Sequence, residues 1–186
     1  DYAFVGVFNH KKTYAFIMTL SHSRHRYVEF VTSQDQQSWA QSHINAFHFF
    51  GGVPRCVLLD NLKSGVIKPD IYDPTLNETY AELSRFYGFV ADPAKARAPT
   101  HKGKVERSVQ LVKEQLIAGR VYDDLAQMNA FARDWCAHKI AHVVSSATGE
   151  TPSSIFKREE LAHLKPLPSE AFDMPIWVTG QVHRDH

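Results

Sequence analysis

The stretches THKGKVER, residues 100–107, and VLLDN, residues 57–61, decide the fold that this chain is expected to have. The first places one carboxylate, Glu106, among cations on the predicted first turn of a helix. The second is an apolar run that is too short for a helix and suits a buried strand, and it ends in Asp60. An acid at a strand end and an acid on a later helix among lysines indicate a metal-dependent site for phosphate esters.

The helix that begins near residue 100 is predicted to bury one face, with Thr100 as its N-cap. Its apolar stripe is formed by Val105, Val109, Val112 and Leu116. Glu106 falls beside this stripe, where its carboxylate can point into a cleft. A surface ion pair of Glu106 with Lys102 or Lys113 is the plain alternative, and such pairs contribute little stability. That alternative does not explain Gly103, which allows a close backbone approach at a helix start.

Composition sets the broad class of the protein. The chain has 186 residues, of which 44% are hydrophobic and 12% aromatic, so we expect one folded domain with a real core. The net charge is only +1, but residues 95–120 carry seven Lys or Arg against two acids. That local excess of positive charge can neutralise several phosphates, although such a run of charges more often forms a solvent-exposed helix face.

Two widely separated cysteines, Cys56 and Cys136, are expected to be small core residues in a reducing compartment. The sequence has neither an apolar run that could span a bilayer nor a signal-peptide pattern. We therefore expect a soluble intracellular protein. Because the chain starts at Asp1 without a methionine, we expect it to be part of a longer protein.

The predicted elements alternate after an initial meander. Strands are expected over residues 1–8, 14–20, 27–31, 56–59 and 89–91, with a turn at 9–12 and loops at 61–74, 92–101 and 143–149. Helices are expected over a segment that ends at Gly51–Gly52, over 75–86, from about 100, from 123–124 and over 151–163. This order predicts an α/β fold with a mixed five-stranded sheet, three strands antiparallel, flanked by helices.

The domain organisation follows from the prolines near the carboxyl end. Residues 1–165 are predicted to form the catalytic core. Residues 166–186, with Pro166, Pro168 and Pro175, are predicted to form a linker and the start of a further β-rich domain.

Three acids on separate elements form the smallest sensible carboxylate cage for two Mg²⁺ ions roughly 3.5–4 Å apart. They are Asp1 on the first strand, Asp60 at the end of a central strand and Glu106 at a helix edge. Asp92, which also follows a strand, is the rival of Asp60, but Pro93 behind it favours a structural role at the start of a loop. Asp60 itself is open to the plainer interpretation of a turn residue.

Several segments together resemble the catalytic core of IstA-type DDE transposases, which share the RNase H-like fold with retroviral integrases. The segments are FGGVPR at 50–55, LDNLK at 59–63, YGF at 87–89, HKGKVERSV at 101–109 and, near the start, DY at 1–2, VG at 5–6, AFIMTLS at 15–21 and SRH at 23–25. The resemblance covers nearly the whole chain, and the lysine-flanked Glu106 segment is its most specific part.

The resemblance implies an activity, a cofactor and partners. It assigns Asp1, Asp60 and Glu106 as catalytic residues and as ligands of two Mg²⁺ or Mn²⁺ ions. It implies cleavage at transposon ends and attack of the freed 3′-OH on target DNA, without a covalent protein intermediate. It also implies an IstB-like AAA+ ATPase helper. A homo-oligomer is expected for the full-length enzyme, because two transposon ends must be joined.

Cations near the acids are the candidates for holding DNA phosphates. They are Lys63, Lys102, Lys104 and Arg107, together with Asn61 as a hydrogen-bonding group. For each cation solubility alone remains an alternative, and Asn61 can equally cap a turn.

Other classes of protein fit the sequence less well. The histidine pairs His22/His25 and His138/His142 lack an accompanying Cys-x-x-Cys, so a zinc module is not expected, and most histidines are predicted on the surface. A serine hydrolase is not expected either, because the sequence has no Gly-x-Ser-x-Gly motif. Two alternatives to a transposase core stay open: a non-catalytic DNA-binding or assembly domain on the same fold, and a stand-alone RNase H-like nuclease.

Overall fold

The computed structural model describes residues 2–59, 66–68, 75–76, 78–93 and 107–176. The strands are β1 (Tyr2–Phe8), β2 (Lys11–Thr19), β3 (Arg26–Val31), β4 (Cys56–Leu59), β5 (Val66–Lys68), β6 (Thr75–Leu76) and β7 (Val90–Pro93). The helices are α1 (Gln36–Phe50), α2 (Glu78–Tyr87), α3 (described over 107–117), α4 (Leu125–Asp134) and α5 (Pro152–Ile155). Further helical turns extend α4 to His142 and α5 to His163.

The first three strands form the predicted antiparallel meander in the order β1-β2-β3. The turn between β1 and β2 is shorter than the predicted 9–12, because only Asn9 (φ 46°) and His10 (φ 62°) leave the strands. Two consecutive positive φ values suit a tight hairpin turn, so β2 already begins at Lys11. Gly6, with a φ of 140°, lies at an irregularity in the β1–β2 register.

The two strands that follow form a parallel ladder, with Cys56 opposite Val90 and Leu59 opposite Pro93. All five predicted strands are therefore present, but among the described residues their hydrogen bonds form a three-stranded and a two-stranded ladder rather than one five-stranded sheet.

A short antiparallel hairpin of β5 and β6 was not predicted. The predicted loop at 61–74 was wrong at β5, and the helix predicted from residue 75 begins at Glu78 instead. The pairing of β5 with β6 accounts for both errors, because it takes Val66–Lys68 and Thr75–Leu76 into strands.

Helices cover both faces of the meander. Along β2, Phe16 and Leu20 join a cluster with α1, α2 and β4, whereas Ala15 and Ile17 join a second cluster with α3 and α4. This is the alternation that a strand imposes on its side chains. Each fully buried large apolar side chain stabilises the fold by roughly 1.5–3 kcal/mol, so the two clusters fix the helices on the sheet.

Three predicted helix ends are confirmed. Asp124 accepts a hydrogen bond from the Gln127 amide (2.7 Å) and so caps α4. Thr151 caps α5, which has Pro152 at its first position, and Gly51 ends α1 with a φ of 71°.

The segment after α5, predicted as a linker from residue 166, packs against the core as far as it is described. Lys165 exchanges backbone hydrogen bonds of 2.8 and 2.9 Å with Val53. The Phe172 ring lies 5.3 Å from that of Phe86, and Leu167 and Met174 contact the first cluster. Residues 177–186, including the predicted strand at 176–178 beyond Ile176, lie outside the described residues.

Candidate functional site

Two parallel strands end together at the edge where the second acid was predicted. Leu58 lies opposite Asp92 and Leu59 opposite Pro93, so the carboxyl ends of β4 and β7 share one edge of their ladder. Leu59, the residue before Asp60, is only 2% exposed. β4 thus ends at Leu59 on this edge with alternate residues buried, and Asp60 follows it in the sequence outside the described residues.

Asp92, the rival acid, lies within β7 rather than at the start of the predicted loop. Its side chain is exposed, and it shares the outer face of the ladder with Cys56. Burial, and then the nearby Asp92 carboxylate, raise the pKa of the Cys56 thiol. The prediction that Cys56 is a core residue was wrong, because alternation along β4 buries Val57 and Leu59 instead. Cys136 is fully buried, as predicted.

The first strand is fixed by the residue that follows Asp1. The Tyr2 ring makes edge contacts with Phe16 (5.8 Å between centroids) and Trp39 (5.1 Å). The Tyr2 hydroxyl lies 3.4 Å from the Ser42 hydroxyl on α1, and burial raises the pKa of Tyr2 to about 12. Tyr2 and Leu59 contact the same hydrophobic cluster, so the residues adjoining Asp1 and Asp60 are anchored in one core.

The third acid was predicted from the phase of α3, and the described part of that helix has the expected phase. Val112 and Leu116 are fully buried against the second cluster, and Val109 is partly buried there. Arg107 and Gln110 are exposed. The apolar stripe is thus confirmed at three of its four predicted positions, while Val105 lies outside the described residues.

Most of the predicted site residues lie outside the part of the chain that the structure describes. These residues are Asp1, Asp60, Asn61, Lys63, Lys102, Lys104 and Glu106. Arg107 is described and exposed. Among the described residues, no cluster of three or more His, Cys, Asp or Glu side chains could hold a metal ion. The meeting of the three acids therefore stays a prediction.

Two described histidines are buried and serve packing: His43, and His25 from the predicted His22/His25 pair. His43 is 2% exposed, lies among aromatic rings and has its Nδ1 2.8 Å from the Trp39 carbonyl oxygen. Burial lowers its pKa to about 3. His25 is 8% exposed between Phe49 and Phe156, and burial lowers its pKa to about 4. His10, His22, His48, His138, His142 and His163 are exposed, so most described histidines lie on the surface as predicted.

A polar groove beside Tyr2, lined by Glu29 and Ser42, was not predicted from the sequence. Glu29 on β3 points to the α1 side, where its Oε1 accepts a hydrogen bond of 2.8 Å from Asn45. Burial raises the pKa of Glu29, and its Oε2 is buried without a hydrogen-bond partner among the described residues. The available signal was an acid that alternates with Tyr27 and Val31, which places all three side chains on one face of the predicted strand.

Comparison with known proteins finds relatives among insertion-sequence transposases. It is 40% identical over 173 residues, 92% of its length, to the putative transposase Rv3428c of Mycobacterium tuberculosis. The chain is a homologue of insertion-sequence transposases. It is also 31% identical over 91% of its length to the putative transposase of IS5376 from Geobacillus stearothermophilus. The IS21 transposase of Pseudomonas aeruginosa is 32% identical over 84% of the chain.

The transposase homologue spans only part of these relatives: 42%, 42% and 40% of their respective lengths. No protein-family model matches it. No helix in its described residues is long and apolar enough to cross a membrane.

Solved structures establish the fold of this transposase homologue as that of the retroviral integrase catalytic core, which is RNase H-like. A chain of the simian T-cell lymphotropic virus intasome in complex with PP2A regulatory subunit B56 gamma has a TM-score of 0.65 at 14% identity over 97% of this chain and 58% of its own length. The HTLV-2 integrase catalytic core domain in complex with magnesium has a TM-score of 0.61 at 15% identity, covering 84% of this chain and 92% of its own. The predicted fold class is confirmed.

Proposed function

We propose that this chain is the catalytic domain of a DNA transposase that cleaves transposon ends and joins the freed 3′-hydroxyl to target DNA. The observation that carries the proposal is the homology to insertion-sequence transposases over 92% of the chain, on a chain with the integrase-core fold. The strand order supports it, because β4 and β7 end at one edge of their ladder and the described part of α3 has the predicted phase.

The carboxylates of Asp1, Asp60 and Glu106 are proposed to hold the divalent ions. Three carboxylates are a donor set that hard cations such as Mg²⁺ or Mn²⁺ prefer over softer metals. The magnesium in the HTLV-2 integrase core is consistent with that choice. Two bound ions supply charge neutralisation on the attacking and leaving oxygens of an in-line displacement at phosphorus. The role of this chain is to position the three acids through Tyr2, Leu59 and α3.

The cations around the acids are proposed to hold the DNA backbone in register. Arg107 is exposed at the described start of α3 and follows directly after Glu106. Lys63, Lys102 and Lys104 complete the set, and Asn61 adds a hydrogen-bonding side chain next to Asp60. Phosphate contacts of this kind fix orientation and carry no sequence information.

The DNA substrates and the oligomer follow from the chemistry, whereas the helper rests on the family resemblance alone. We propose transposon-end and target DNA as substrates, a homo-oligomer of the full-length enzyme because two ends must be joined, and an IstB-like AAA+ ATPase as helper. We place the enzyme in the bacterial cytoplasm, with nucleoid DNA.

The test incubates the full-length protein and its helper with labelled transposon-end DNA in Mg²⁺ or Mn²⁺. Cleavage and strand-joining products are resolved on a denaturing gel. Asp60→Asn and Glu106→Gln are expected to abolish both products, because each removes a carboxylate charge while keeping the side-chain shape. Asp92→Asn is the matched control, since Asp92 is an exposed acid on the neighbouring strand, and it is expected to retain both products.

Each alternative has its own outcome in this assay. Products that persist in both Asp60→Asn and Glu106→Gln contradict the assigned site. DNA binding without any cleavage by the intact protein favours a non-catalytic binding or assembly domain. Cleavage that is indifferent to the end sequence and yields no joined product favours a stand-alone nuclease.

A further inference from the structure

Two cations lie over one aromatic ring at the α3–α4 side of the molecule. The Arg120 guanidinium carbon lies 4.3 Å from the centre of the Phe131 ring, and the Lys139 Nζ lies 5.8 Å from the same centre. Both distances are within the range of a cation–π contact. A partly buried ring on α4 thus holds two exposed positive charges close to each other.

Neither charge is neutralised by a carboxylate in the described part of the chain. Arg120 is oriented by its Nε, which donates to the Gln115 carbonyl oxygen at 3.1 Å, and this leaves its two terminal nitrogens available. Two other exposed arginines do have acidic partners: Arg85 pairs with Glu82 and Arg158 with Glu150. Two like charges held together without a counter-charge repel each other, so an anion bound between them relieves that repulsion.

The positive surface extends to the β1–β2 hairpin. The Tyr122 ring lies 6.0 Å from Phe131 and 6.4 Å from Phe8, so aromatic side chains connect the two regions. Lys11 pairs with Phe8 across the hairpin and therefore projects to the same face. We call Lys11, Arg120 and Lys139, with the rings of Phe8, Tyr122 and Phe131, the hairpin-end surface.

Two acids close to this surface already accept hydrogen bonds from Gln127. Asp124 accepts from the Gln127 amide at 2.7 Å, and Asp123 accepts from the Gln127 side chain at 3.1 Å. Both lie at the amino end of α4, where the helix dipole compensates negative charge. They therefore offset the three cations only in part.

The hairpin-end surface is remote from the predicted acids. Tyr2 begins β1 next to Asp1, and Phe8 ends the same strand. A strand of this length spans on the order of 20 Å. Any ligand of this surface is thus distinct from the phosphate that the acids would hold, although one DNA molecule is long enough to reach both.

We propose that the hairpin-end surface binds the phosphodiester backbone of DNA, as a second contact away from the site of cleavage. Several cations spread over one face match a duplex, which presents one negative charge for about every 1.7 Å of its axis. The free fork of Arg120 suits the two oxygens of a phosphate. This inference rests on the proposed function, because it takes DNA rather than an acidic protein segment as the partner.

The test measures how DNA affinity depends on salt, in the full-length protein with EDTA present so that no cleavage takes place. Fluorescence anisotropy of a labelled duplex is followed from about 50 to 200 mM NaCl, the range in which backbone contacts are most visible. The variant Arg120→Glu/Lys139→Glu is compared with Arg85→Glu/Lys157→Glu. The control replaces one exposed arginine and one exposed lysine elsewhere, so both variants undergo the same change of net charge.

We expect the slope of log affinity against log salt to fall by about 2 in the Arg120/Lys139 variant, since each lost phosphate contact removes roughly 0.9. The control variant should keep the wild-type slope. The swap Arg120→Lys/Lys139→Arg keeps both charges and should also keep it, which separates charge from folding. Equal slopes in the Arg120/Lys139 variant and its control overturn the inference.

The same experiment separates this inference from the proposed activity. If the end-cleavage assay fails but the slope difference is found, the DNA contact stands and the catalytic proposal falls. If cleavage succeeds and the slopes are equal, only the hairpin-end surface is refuted. Binding of a polyglutamate peptide is measured as well. If the Arg120/Lys139 variant loses affinity for this peptide while its DNA affinity is unchanged, the partner is an acidic protein segment and the inference is overturned.

Discussion

The side-chain amide of Asn129 on α4 forms both of its hydrogen bonds with the backbone of Phe30 on β3. The Phe30 amide donates to the Asn129 Oδ1 at 2.7 Å, and the Asn129 Nδ2 donates to the Phe30 carbonyl oxygen at 2.9 Å. β3 is the outer strand of its ladder, so these backbone groups face away from β2. One side chain therefore satisfies a stretch of strand edge that would otherwise be available to another strand.

Replacing Asn129 with Leu is expected to lower the free energy of unfolding by about 1–3 kcal/mol, because it leaves two partly buried backbone groups unpaired. Asn129→Asp keeps the acceptor for the Phe30 amide but brings a carboxylate against the Phe30 carbonyl oxygen, so it is also expected to destabilise. Urea unfolding measures both variants. Gln110→Leu, on an exposed helix position, is the control and should change stability by less than about 0.5 kcal/mol. Equal stabilities of the Asn129 and Gln110 variants would show that the edge pairing contributes nothing.

Gly51 and Gly52 are neighbouring glycines that resist substitution for different reasons. Gly51 has a φ of 71° and open space around its missing Cβ, whereas a Cβ on Gly52 would come within 2.7 Å of the Leu164 Cβ and 2.9 Å of the Lys165 carbonyl oxygen. Asn tolerates positive φ far better than Ala does. Gly51→Asn is therefore expected to cost less than Gly51→Ala, which should cost about 1–2 kcal/mol.

At Gly52 both substitutions are expected to destabilise by about 1–3 kcal/mol, because the obstacle is packing against the segment that follows α5. Thermal unfolding of Gly51→Asn, Gly51→Ala, Gly52→Asn and Gly52→Ala measures these differences in stability. If Gly52→Ala were neutral, the contact of Leu164 and Lys165 with Gly52 would not persist in solution.

The sequence predicted the parts of the fold that local patterns determine. The helix ends at Gly51, Asp124 and Thr151 depend on residues within one turn of the end, and all three are confirmed. The stripe of α3 depends on spacing alone, and Val112 and Leu116 are buried as predicted. The hairpin of β5 and β6 depends on pairing between separated residues, so no local pattern indicated it.

The same distinction applies to side chains at the candidate site. Asp60 stays a prediction, made from a short apolar run that ends in an acid. Asp92 was misplaced because Pro93 suggested a loop, whereas the pairing with β4 keeps it in a strand. Asn129 gave no signal at all: on α4 it looks like an ordinary polar helix residue, and its role depends on Phe30, far away in the chain. Glu29 gave a weak signal, an acid at an inward strand position.

Glu29→Gln is expected to stabilise the protein near neutral pH by roughly 1 kcal/mol, since it removes a charge from a carboxyl group that is partly buried and has one unpaired oxygen. Burial raises the pKa of Glu29 above its ordinary value of 4.5 in the folded state. The folded protein therefore binds more protons than the unfolded chain just above pH 4.5, and its stability falls as pH rises through that region.

The advantage of Glu29→Gln should thus grow from pH 4 to pH 7, as urea unfolding at several pH values can show. Glu114→Gln, at an exposed position on α3, provides the control. A Glu29→Gln advantage that is the same at both ends of the range would mean that Glu29 does not titrate abnormally.

His25→Phe is expected to stabilise the protein, and more strongly in acid than at neutral pH. His25 lies among Phe49, Phe50 and Phe156, and its Nδ1 is buried without a partner in the described structure. A phenyl ring at this position is therefore expected to raise the free energy of unfolding by roughly 1 kcal/mol. Burial lowers the pKa of His25 to about 4, an effect that Glu160 opposes.

Between pH 4 and the ordinary value of 6.5 the unfolded chain binds the proton that folded His25 excludes, so wild-type stability falls as pH decreases through this interval. Phe cannot bind that proton, and the variant should lose this part of the pH dependence. Urea unfolding at pH 7.5 and pH 5 measures the difference, with His138→Phe at an exposed position as control. Because His43, with its pKa lowered to about 3, excludes a proton over the same interval, some acid sensitivity should remain in His25→Phe. A variant that gains no more at pH 5 than at pH 7.5 would show that His25 is not buried in its neutral form.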